Sequence, residues 1–358
     1  MATGGDALLC ADFNAASTAV LVGRARSFSI YQIRPFGVLV DRSGTGACRM
    51  AQLEDTPLVA LVGTAEDPAF SPRRLRLVNA QTGDAVADFD FRSSVVAVHL
   101  LPTRLVAVLE TSFHVFDLST LQSMQSQTTP MNATGTSAVN AVRRMLAIST
   151  HESSLALLDL DLVRVHTLIH AHGTALAAVA FNAPGTLVAT ASLRGTVIRV
   201  WNVGTGEILH EFRRGITSAR VSSLAFDAAD HFLSSTSDTD TVHVYVLAPE
   251  TLVKSSSSGS ILSSVMSRSG FQVRLAGQRN RRRTRCIGRW VDQRLLIITD
   301  GDDDVILLEF VVNVDGSFRL VEEHALNRPK SLQVGAIVYD PPIPADEEHD
   351  DDDDDDVS

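Results

Sequence analysis

The stretch LAAVAFNAPGTLVATASLRGTVIRVWNVGTGEILHEF, residues 176–212, decides the fold of this chain. It contains four short apolar runs separated by turn-forming residues such as Asn, Pro and Gly. Short runs of this kind, bounded by turn signals, are typical of β-strands. We interpret the stretch as one four-stranded unit, with strands at Leu176–Phe181, Thr186–Ser192, Thr196–Val203 and Glu207–Phe212.

The same unit recurs along the chain. Its third strand can be followed through seven copies, which begin about 40 to 47 residues apart except for a last interval of about 63. The copies are Ser27–Ile33, Arg74–Val78, Ser112–Leu118, Leu155–Asp161, Thr196–Val203, Thr241–Leu247 and Asp304–Phe310. This period is typical of propeller blades, and closure into a ring protects the strand edges. The sequence therefore predicts an all-β fold, a seven-bladed β-propeller of four-stranded WD-like blades over residues 1–340.

Composition argues against several other classes of protein. No run approaches the 18 or more apolar residues of a membrane-spanning helix, and the start of the chain lacks a basic signal-peptide region. The three cysteines share no metal-ligand spacing, so we interpret Cys10, Cys48 and Cys286 as reduced thiols of a cytosolic protein. Nucleophile-elbow, phosphate-loop and paired-carboxylate patterns are missing from the sequence. We expect neither an enzyme nor a cofactor or metal site.

The net charge of −11 is concentrated in one segment. Asp346–Asp356 contains ten acidic residues, and the rest of the chain has 32 acidic against 31 basic residues. A nearly neutral body argues against nucleic-acid binding. Acidic runs are usually solvated, and we expect an acidic disordered tail over residues 341–358. An autoinhibitory or partner-binding role is the alternative interpretation of this tail.

A Ser-rich insertion explains the long last interval. Residues 248–270 read APETLVKSSSSGSILSSVMSRSG, which is the composition of a flexible loop. Four of its apolar residues fall on one face if the segment turns helical: Ile261, Leu262, Val265 and Met266. A plain connecting loop is one interpretation. An apolar edge that enters the interfacial zone of a bilayer is the other.

Two adjacent arginines follow the fourth strand of the unit quoted first, within EFRRGITSAR, Glu211–Arg220. Neighbouring residues on a strand point to opposite sides, so Arg213 and Arg214 are expected to serve different ligands. A guanidinium presents a planar fork that matches phosphate oxygens. An arginine pair alone is usually a solvated surface feature, so a binding role for this pair must be judged from the surrounding sequence.

That context resembles the PROPPIN (WIPI) family, autophagy-associated β-propellers that bind phosphoinositides. FRRG, Phe212–Gly215, matches the signature of the family. Residues 189–215 are similar to the fifth blade of the family, residues 236–247 to its sixth, and residues 71–79 and 101–118 to its second and third. The likeness is weaker over the first 60 residues and the last blade. Ile216 stands where the family usually has Thr.

The resemblance implies a non-enzymatic effector that reads phosphatidylinositol 3-phosphate or the 3,5-bisphosphate at two head-group sites. The first site would use His172, Ser192, Thr196, Arg199 and Arg213. The second would use Arg214, Ser237, Thr241 and His243. The resemblance also implies a membrane-inserting loop at Ile261, Leu262, Val265 and Met266, and a region at Ser71, Pro72 and Arg73 that binds an autophagy lipid-transfer protein.

From this resemblance we expect a protein that is a monomer in solution and recruits autophagy machinery to membranes. Its expected location is the cytoplasm and, peripherally, preautophagosomal or autophagosomal, endosomal, vacuolar or lysosomal membranes. A propeller scaffold that binds only proteins, with the arginines as surface charge, is the alternative hypothesis.

Overall fold

A computed structural model of the protein describes residues 6–150, 153–162, 164–239, 241–247, 271–275, 286–300, 305–312, 318–326 and 338–339. These residues form seven antiparallel sheets, each built around four strands that are consecutive in the chain. From blade 1 to blade 7 the first strand of each sheet lies beside the first strand of the next, and buried side chains of blades 1 and 7 pack together, which arranges the sheets as blades in a ring. The predicted seven-bladed β-propeller is confirmed. Among the described residues no helix is long and apolar enough to cross a bilayer.

The four main strands of each blade follow one another along the chain. Blades 1 to 3 contain β1 Leu8–Phe13, β2 Ala19–Arg24, β3 Ser27–Gln32, β4 Gly37–Ser43; β5 Arg49–Gln52, β6 Leu58–Val62, β7 Arg74–Asn79, β8 Ala85–Asp90; β9 Val95–Leu100, β10 Arg104–Leu109, β11 Ser112–Asp117 and β12 Ser123–Thr128. Blades 4 and 5 contain β13 Ser137–Asn140, β14 Met145–Ser149, β15 Ser154–Asp159, β16 Arg164–His170; β17 Leu176–Phe181, β18 Leu187–Ser192, β19 Val197–Asn202 and β20 Ile208–Arg213. Blades 6 and 7 contain β21 Val221–Phe226, β22 Phe232–Ser237, β23 Thr241–Val246, β24 Phe271–Arg274; β25 Cys286–Val291, β26 Arg294–Asp300, β27 Val305–Val312 and β28 Phe318–Ala325. A single 3₁₀ turn, Pro68–Phe70, precedes β7 in the described part of the chain.

All seven predicted third strands are present, as β3, β7, β11, β15, β19, β23 and β27. Blade 6 carries an additional short strand that the sequence did not predict. This strand, β29 at Val338–Tyr339, pairs antiparallel with β24 at the edge of the sheet. The chain therefore returns to blade 6 after completing blade 7.

Apolar side chains that fill the space between neighbouring blades form the core. Between blades 5 and 6, for example, Ile198 and Val200 pack with Leu233 and Tyr245, and all four are buried. Burying one such side chain contributes roughly 1.5–3 kcal/mol relative to leaving it exposed. Because every strand lies in a sheet with a blade on either side, this packing repeats around the ring and fixes the positions of the blade junctions.

Blades 1 and 7 close the ring through side chains. The hydroxyl of Tyr31 donates to the carbonyl of Leu326, and Arg34 donates to Asp292 and to Glu309, each at 2.6 Å. The carboxylate of Glu309 is only 4% exposed and also accepts from Arg294 at 2.5 Å. Among the described strands, none of blade 1 pairs with the sheet of blade 7.

Candidate functional site

The arginine pair lies at the junction between blades 5 and 6. Strand β20 ends at Arg213, which is opposite Val197 on β19. The next residue leaves the sheet, and its backbone N–H donates to the carbonyl of Thr196 at 2.8 Å. The preceding Phe212 stacks on Tyr245 of β23, with 4.8 Å between ring centroids. This aromatic contact holds the end of β20 against blade 6.

The two arginines have different environments. The side chain of Arg213 is exposed and makes no hydrogen bond or ion pair with any described residue. Arg214 is 6% exposed, and its Nε and Nη2 donate to the carbonyls of Gly195 and Thr217, each at 2.5 Å. Burial lowers the pKa of Arg214 from its ordinary value. Arg213 is thus free to meet a ligand, whereas Arg214 is largely committed to the protein and keeps Nη1 without a hydrogen bond.

A glycine turn makes the clamp around Arg214 possible. Gly195 has a φ of +62°, a region that L side chains rarely adopt. A Cβ at this position would lie 1.8 Å from the carbonyl oxygen of Ala219. The turn between β18 and β19 therefore requires glycine. Its carbonyl oxygen is held where the buried guanidinium can reach it.

Arg199 is already engaged by the protein. Its Nε donates to Glu211 at 2.7 Å and its Nη1 to the carbonyl of Ala171 at 2.8 Å. Glu211 lies directly opposite Arg199 on β20 and was not predicted as a site residue. Its carboxylate is 52% exposed, so it can move away from Arg199 at small cost. An anionic ligand at Arg199 must compete with this carboxylate or bind beside it.

His172 is part of a buried hydrogen-bond network. Its Nε2 is 3.0 Å from the hydroxyl of Thr190, which also accepts from Trp201 Nε1 at 2.9 Å. Burial, and then the charge of Arg199, lower the pKa of His172 to about 4. His172 is therefore neutral at neutral pH. Only its Nδ1 is left for a ligand, because Thr190, which the sequence did not predict, occupies the other nitrogen.

The hydroxyls of the first predicted site are unpaired. Ser192 is buried at the end of β18, and Thr196 is half-buried just before β19. Neither side chain hydrogen-bonds to another described residue. Together with Arg213 they provide donors that the protein itself does not use.

The hydroxyls of the second predicted site are bonded to one another. Ser237 is 2.8 Å from Thr239, Thr239 is 3.0 Å from Thr241, and Thr241 is 3.4 Å from Nε2 of His243. Thr239, which was not predicted, links the chain of hydroxyls. Burial, and then the charge of Arg214, lower the pKa of His243 to about 4. A ligand here must replace hydrogen bonds that the protein already makes, so the second site is less open than the first.

The predicted partner-binding residues lie between blades 2 and 3. The carbonyl of Pro72 accepts from Val95 of blade 3 at 2.9 Å, and the carbonyl of Arg73 accepts from Phe91 at 2.9 Å. Ser71 ends the 3₁₀ turn. The side chain of Arg73 is exposed, with no hydrogen bond or ion pair to another described residue.

Several predicted features lie outside the described residues. They are the insertion with Ile261, Leu262, Val265 and Met266, and the acidic run Asp346–Asp356. The chain has a further basic cluster, the arginine-rich sequence Arg279–Arg285, which also lies outside the described residues. Within the described ranges, no three His, Cys, Asp or Glu side chains come together as a metal-binding group.

Seven four-stranded blades in a ring define a WD-like β-propeller, and comparison with known proteins gives the family. The PROPPIN family model matches residues 7–272. The chain belongs to the PROPPIN family, as the FRRG motif indicated.

The relatives are autophagy proteins. Autophagy-related protein 18 of Mycosarcoma maydis is 33% identical over 270 residues, which cover 68% of this chain and 60% of that protein. The protein of the same name in Komagataella pastoris is 29% identical over 280 residues, covering 67% of this chain and 52% of that protein. The chain thus matches a little over half the length of these two relatives.

Solved structures share the fold. Kluyveromyces lactis Hsv2 with a complete loop 6CD superposes with a TM-score of 0.74 at 18% identity, covering 89% of this chain and 99% of that one. KlAtg21, solved in complex with the coiled-coil of AgAtg16, gives a TM-score of 0.70 at 19% identity, covering 90% of this chain and 100% of that one. At these identities the likeness supports the propeller architecture alone.

Proposed function

We propose that this protein is a non-enzymatic phosphoinositide effector with a role in autophagy, which docks on membranes through the junction of blades 5 and 6. The observation that carries the proposal is the exposed guanidinium of Arg213, which has no anionic partner among the described residues. Membership in the PROPPIN family and the similarity to Autophagy-related protein 18 support it.

In the first site, a head-group phosphate would bind between Arg213 and the unpaired hydroxyls of Ser192 and Thr196. Arginine supplies charge and a bidentate fork, and hydroxyls donate to phosphate oxygens. Arg199 would contribute N–H groups once Glu211 moves aside. His172 would donate through Nδ1, because its Nε2 is bonded to Thr190.

In the second site, Arg214 would contribute Nη1 alongside Ser237, Thr241 and His243. These hydroxyls are bonded within the protein, so a phosphate would gain less there than in the first site. Net stabilisation by a hydrogen bond is the difference between the new bond and the one it replaces. We therefore assign the stronger binding to the first site.

Membrane docking would combine several weak contacts. Two head-group sites on one rigid body raise the effective concentration of each other, and an apolar loop adds a third anchor. We assign the loop to Ile261, Leu262, Val265 and Met266 within residues 248–270, as part of the proposal. The preferred lipid is phosphatidylinositol 3-phosphate or the 3,5-bisphosphate, on autophagosomal, endosomal or vacuolar membranes.

Protein partners would be recruited through other blades. KlAtg21 was solved with a coiled-coil segment of AgAtg16, which shows that a propeller of this fold can hold an autophagy protein. For this chain we propose the junction of blades 2 and 3 around Ser71, Pro72 and Arg73 as a surface for an autophagy lipid-transfer protein.

The test is sedimentation of the full chain with phosphatidylcholine vesicles that contain a small fraction of phosphatidylinositol 3-phosphate. Wild type should sediment, and Arg213→Ala should weaken binding by about tenfold or more, the size expected for a charge-assisted contact. Arg73→Ala is the matched control, since Arg73 is equally exposed but lies between other blades. If folded wild type ignores these vesicles, the lipid hypothesis is wrong and a protein-only scaffold becomes the better assignment.

Membrane insertion by the loop at residues 248–270 is tested separately. Ile261→Asp should weaken binding to vesicles and leave the affinity for a soluble inositol 1,3-bisphosphate head group unchanged. Equal losses in both measurements would show that Ile261 supports the head-group sites and not insertion.

A further inference from the structure

The side chains of three exposed arginines at the junction of blades 5 and 6 make no ion pair with a described residue: Arg194, Arg213 and Arg220. The backbone N–H of Arg220 donates to the carboxylate of Asp238 at 3.0 Å. Backbone contacts bring the three arginines together. The carbonyl of Arg194 accepts from the hydroxyl of Ser218 at 3.0 Å, which places the Arg194 turn beside the segment that leads to Arg220. We call these three residues the arginine patch. Many other arginines of the described chain are ion-paired, for example Arg74 with Asp90, Arg76 with Asp88 and Arg104 with Asp117.

The chain returns to blade 6 at Val338–Tyr339, shortly before its acidic run in the sequence. Strand β29 pairs with β24, and β24 pairs with β23, where Arg274 is opposite Thr241. Neighbouring strands are about 4.8 Å apart, so β29 lies roughly 10 Å from the strand that carries Thr241 and His243. Backbone pairing thus fixes the point from which the acidic run departs.

Chain length permits contact with the arginine patch. Six residues lie between Tyr339 and Asp346, so the chain makes seven residue-to-residue steps, which span at most about 25 Å when extended. The backbone leaves Tyr339 toward the Phe271 end of β24, so the chain must turn back by a few residues to reach the junction. Ten acidic residues over Asp346–Asp356 leave ample length for both the turn and the contact.

We propose that the acidic segment Asp346–Asp356 binds the arginine patch of its own chain and competes there with lipid phosphate. Charges of opposite sign attract over about a Debye length, and attachment to the same chain makes the local concentration of carboxylate high. The consequence for lipid rests on the proposed function, because Arg213 belongs to both the patch and the first head-group site. The contact between segment and patch does not depend on lipid.

The contact is tested in the full chain without lipid, by the rate at which phenylglyoxal modifies each arginine, read by mass spectrometry. One variant replaces all seven aspartates from Asp350 to Asp356 by asparagine, and a charge-preserving control replaces them by glutamate. At low salt the asparagine variant should react at least about threefold faster than wild type at Arg194, Arg213 and Arg220, and the glutamate control should match wild type. High salt should remove the difference. Arg73 serves as the internal reference and should react equally in all three proteins.

Three results would overturn the proposal. One is equal reactivity of the patch in wild type and the asparagine variant. Another is a difference confined to Arg279–Arg285, which would assign the acidic segment to that basic cluster. A difference that grows with protein concentration would equally overturn it, since the contact would then join two copies.

Vesicle sedimentation with phosphatidylinositol 3-phosphate separates this proposal from the proposed function. The asparagine variant should bind these vesicles at least about threefold more tightly than wild type and the glutamate control. If the patch is protected but neither protein binds the vesicles, the segment contact stands and the lipid function is wrong. If both bind equally and the patch is unprotected, the lipid function stands and the competition is wrong.

Discussion

Arg213 and Arg214 are adjacent, yet the first guanidinium is exposed without a partner and the second is buried on the carbonyls of Gly195 and Thr217. The pair therefore combines a ligand-facing group with a structural clamp. In this respect the two residues are not equivalent halves of one motif.

Arg214→Ala should destabilise the fold, whereas Arg213→Ala should not. Removing Arg214 deletes two charge-assisted hydrogen bonds and leaves two carbonyls without donors, at a cost of about 2–4 kcal/mol. Equilibrium unfolding in urea measures both variants against wild type. Equal stability of the two variants would contradict the assigned clamp, and loss of lipid binding in Arg214→Ala is interpretable only if that variant is still folded.

Glu211→Gln should strengthen binding of a phosphoinositide head group. The substitution removes the negative charge that pairs with Arg199. Because exposed ion pairs contribute up to about 1 kcal/mol, we expect the affinity to rise by about threefold. Titration with a soluble head group measures the effect. Asp88→Asn is the matched control, because Asp88 pairs with Arg76 at 2.6 Å in blade 2, away from the junction. Weaker binding by Glu211→Gln would mean that Glu211 positions Arg199 and does not compete with the ligand.

Thr190→Val should destabilise the protein by about 1–3 kcal/mol. Valine has nearly the shape of threonine but no hydroxyl, so His172 and Trp201 would lose their shared partner inside the core. Thermal unfolding measures the change. Thr186→Val, at a half-buried turn position, should have a smaller effect, and equal losses would argue against a special role for the network.

Stability should fall as the pH is lowered from about 6.5 toward 4. Burial lowers the pKa of His99, His172 and His243 to about 4 in the folded state, below the ordinary value of 6.5. In that window the unfolded chain binds protons that the folded chain does not, so each histidine contributes a loss of up to about 3 kcal/mol, complete only near pH 4. Above the histidine pKa of the unfolded chain, neither state is protonated and this loss of stability is absent.

Urea unfolding of His172→Gln between pH 7.5 and 5 checks this pH dependence. The variant should lose stability less steeply than wild type, and the same substitution at the exposed His166 serves as the control. An unchanged slope in His172→Gln would show that this histidine titrates in the folded protein much as it does in the unfolded chain.

The fold was largely predictable because one strand of each blade keeps its apolar pattern. The expected runs Thr196–Val203 and Thr241–Leu247 correspond to β19 at Val197–Asn202 and β23 at Thr241–Val246. The additional strand β29 was not predictable, since two residues carry no periodicity and their pairing depends on where the ring brings the chain back.

The site was less predictable because its contacts depend on register. A bulge between Val200 and Trp201 shifts the pairing of β19 with β20 by one residue, and only with that shift does Glu211 lie opposite Arg199. A shift of one residue moves a side chain to the other face of a sheet. The burial of Arg214 depends on carbonyls from two separate loops, which no local pattern reveals. Whether the predicted residues bind lipid stays a prediction.

The closure of the ring has a mechanical consequence. The polypeptide itself ties each blade to the next everywhere except between blades 7 and 1, where contacts such as Arg34 with Glu309 and Tyr31 with Leu326 hold the two blades together. Local opening of the ring should therefore begin at the contact between blades 7 and 1. Because part of this contact is ionic, added salt should weaken it, and the propeller should open between blades 7 and 1 before any single blade unfolds.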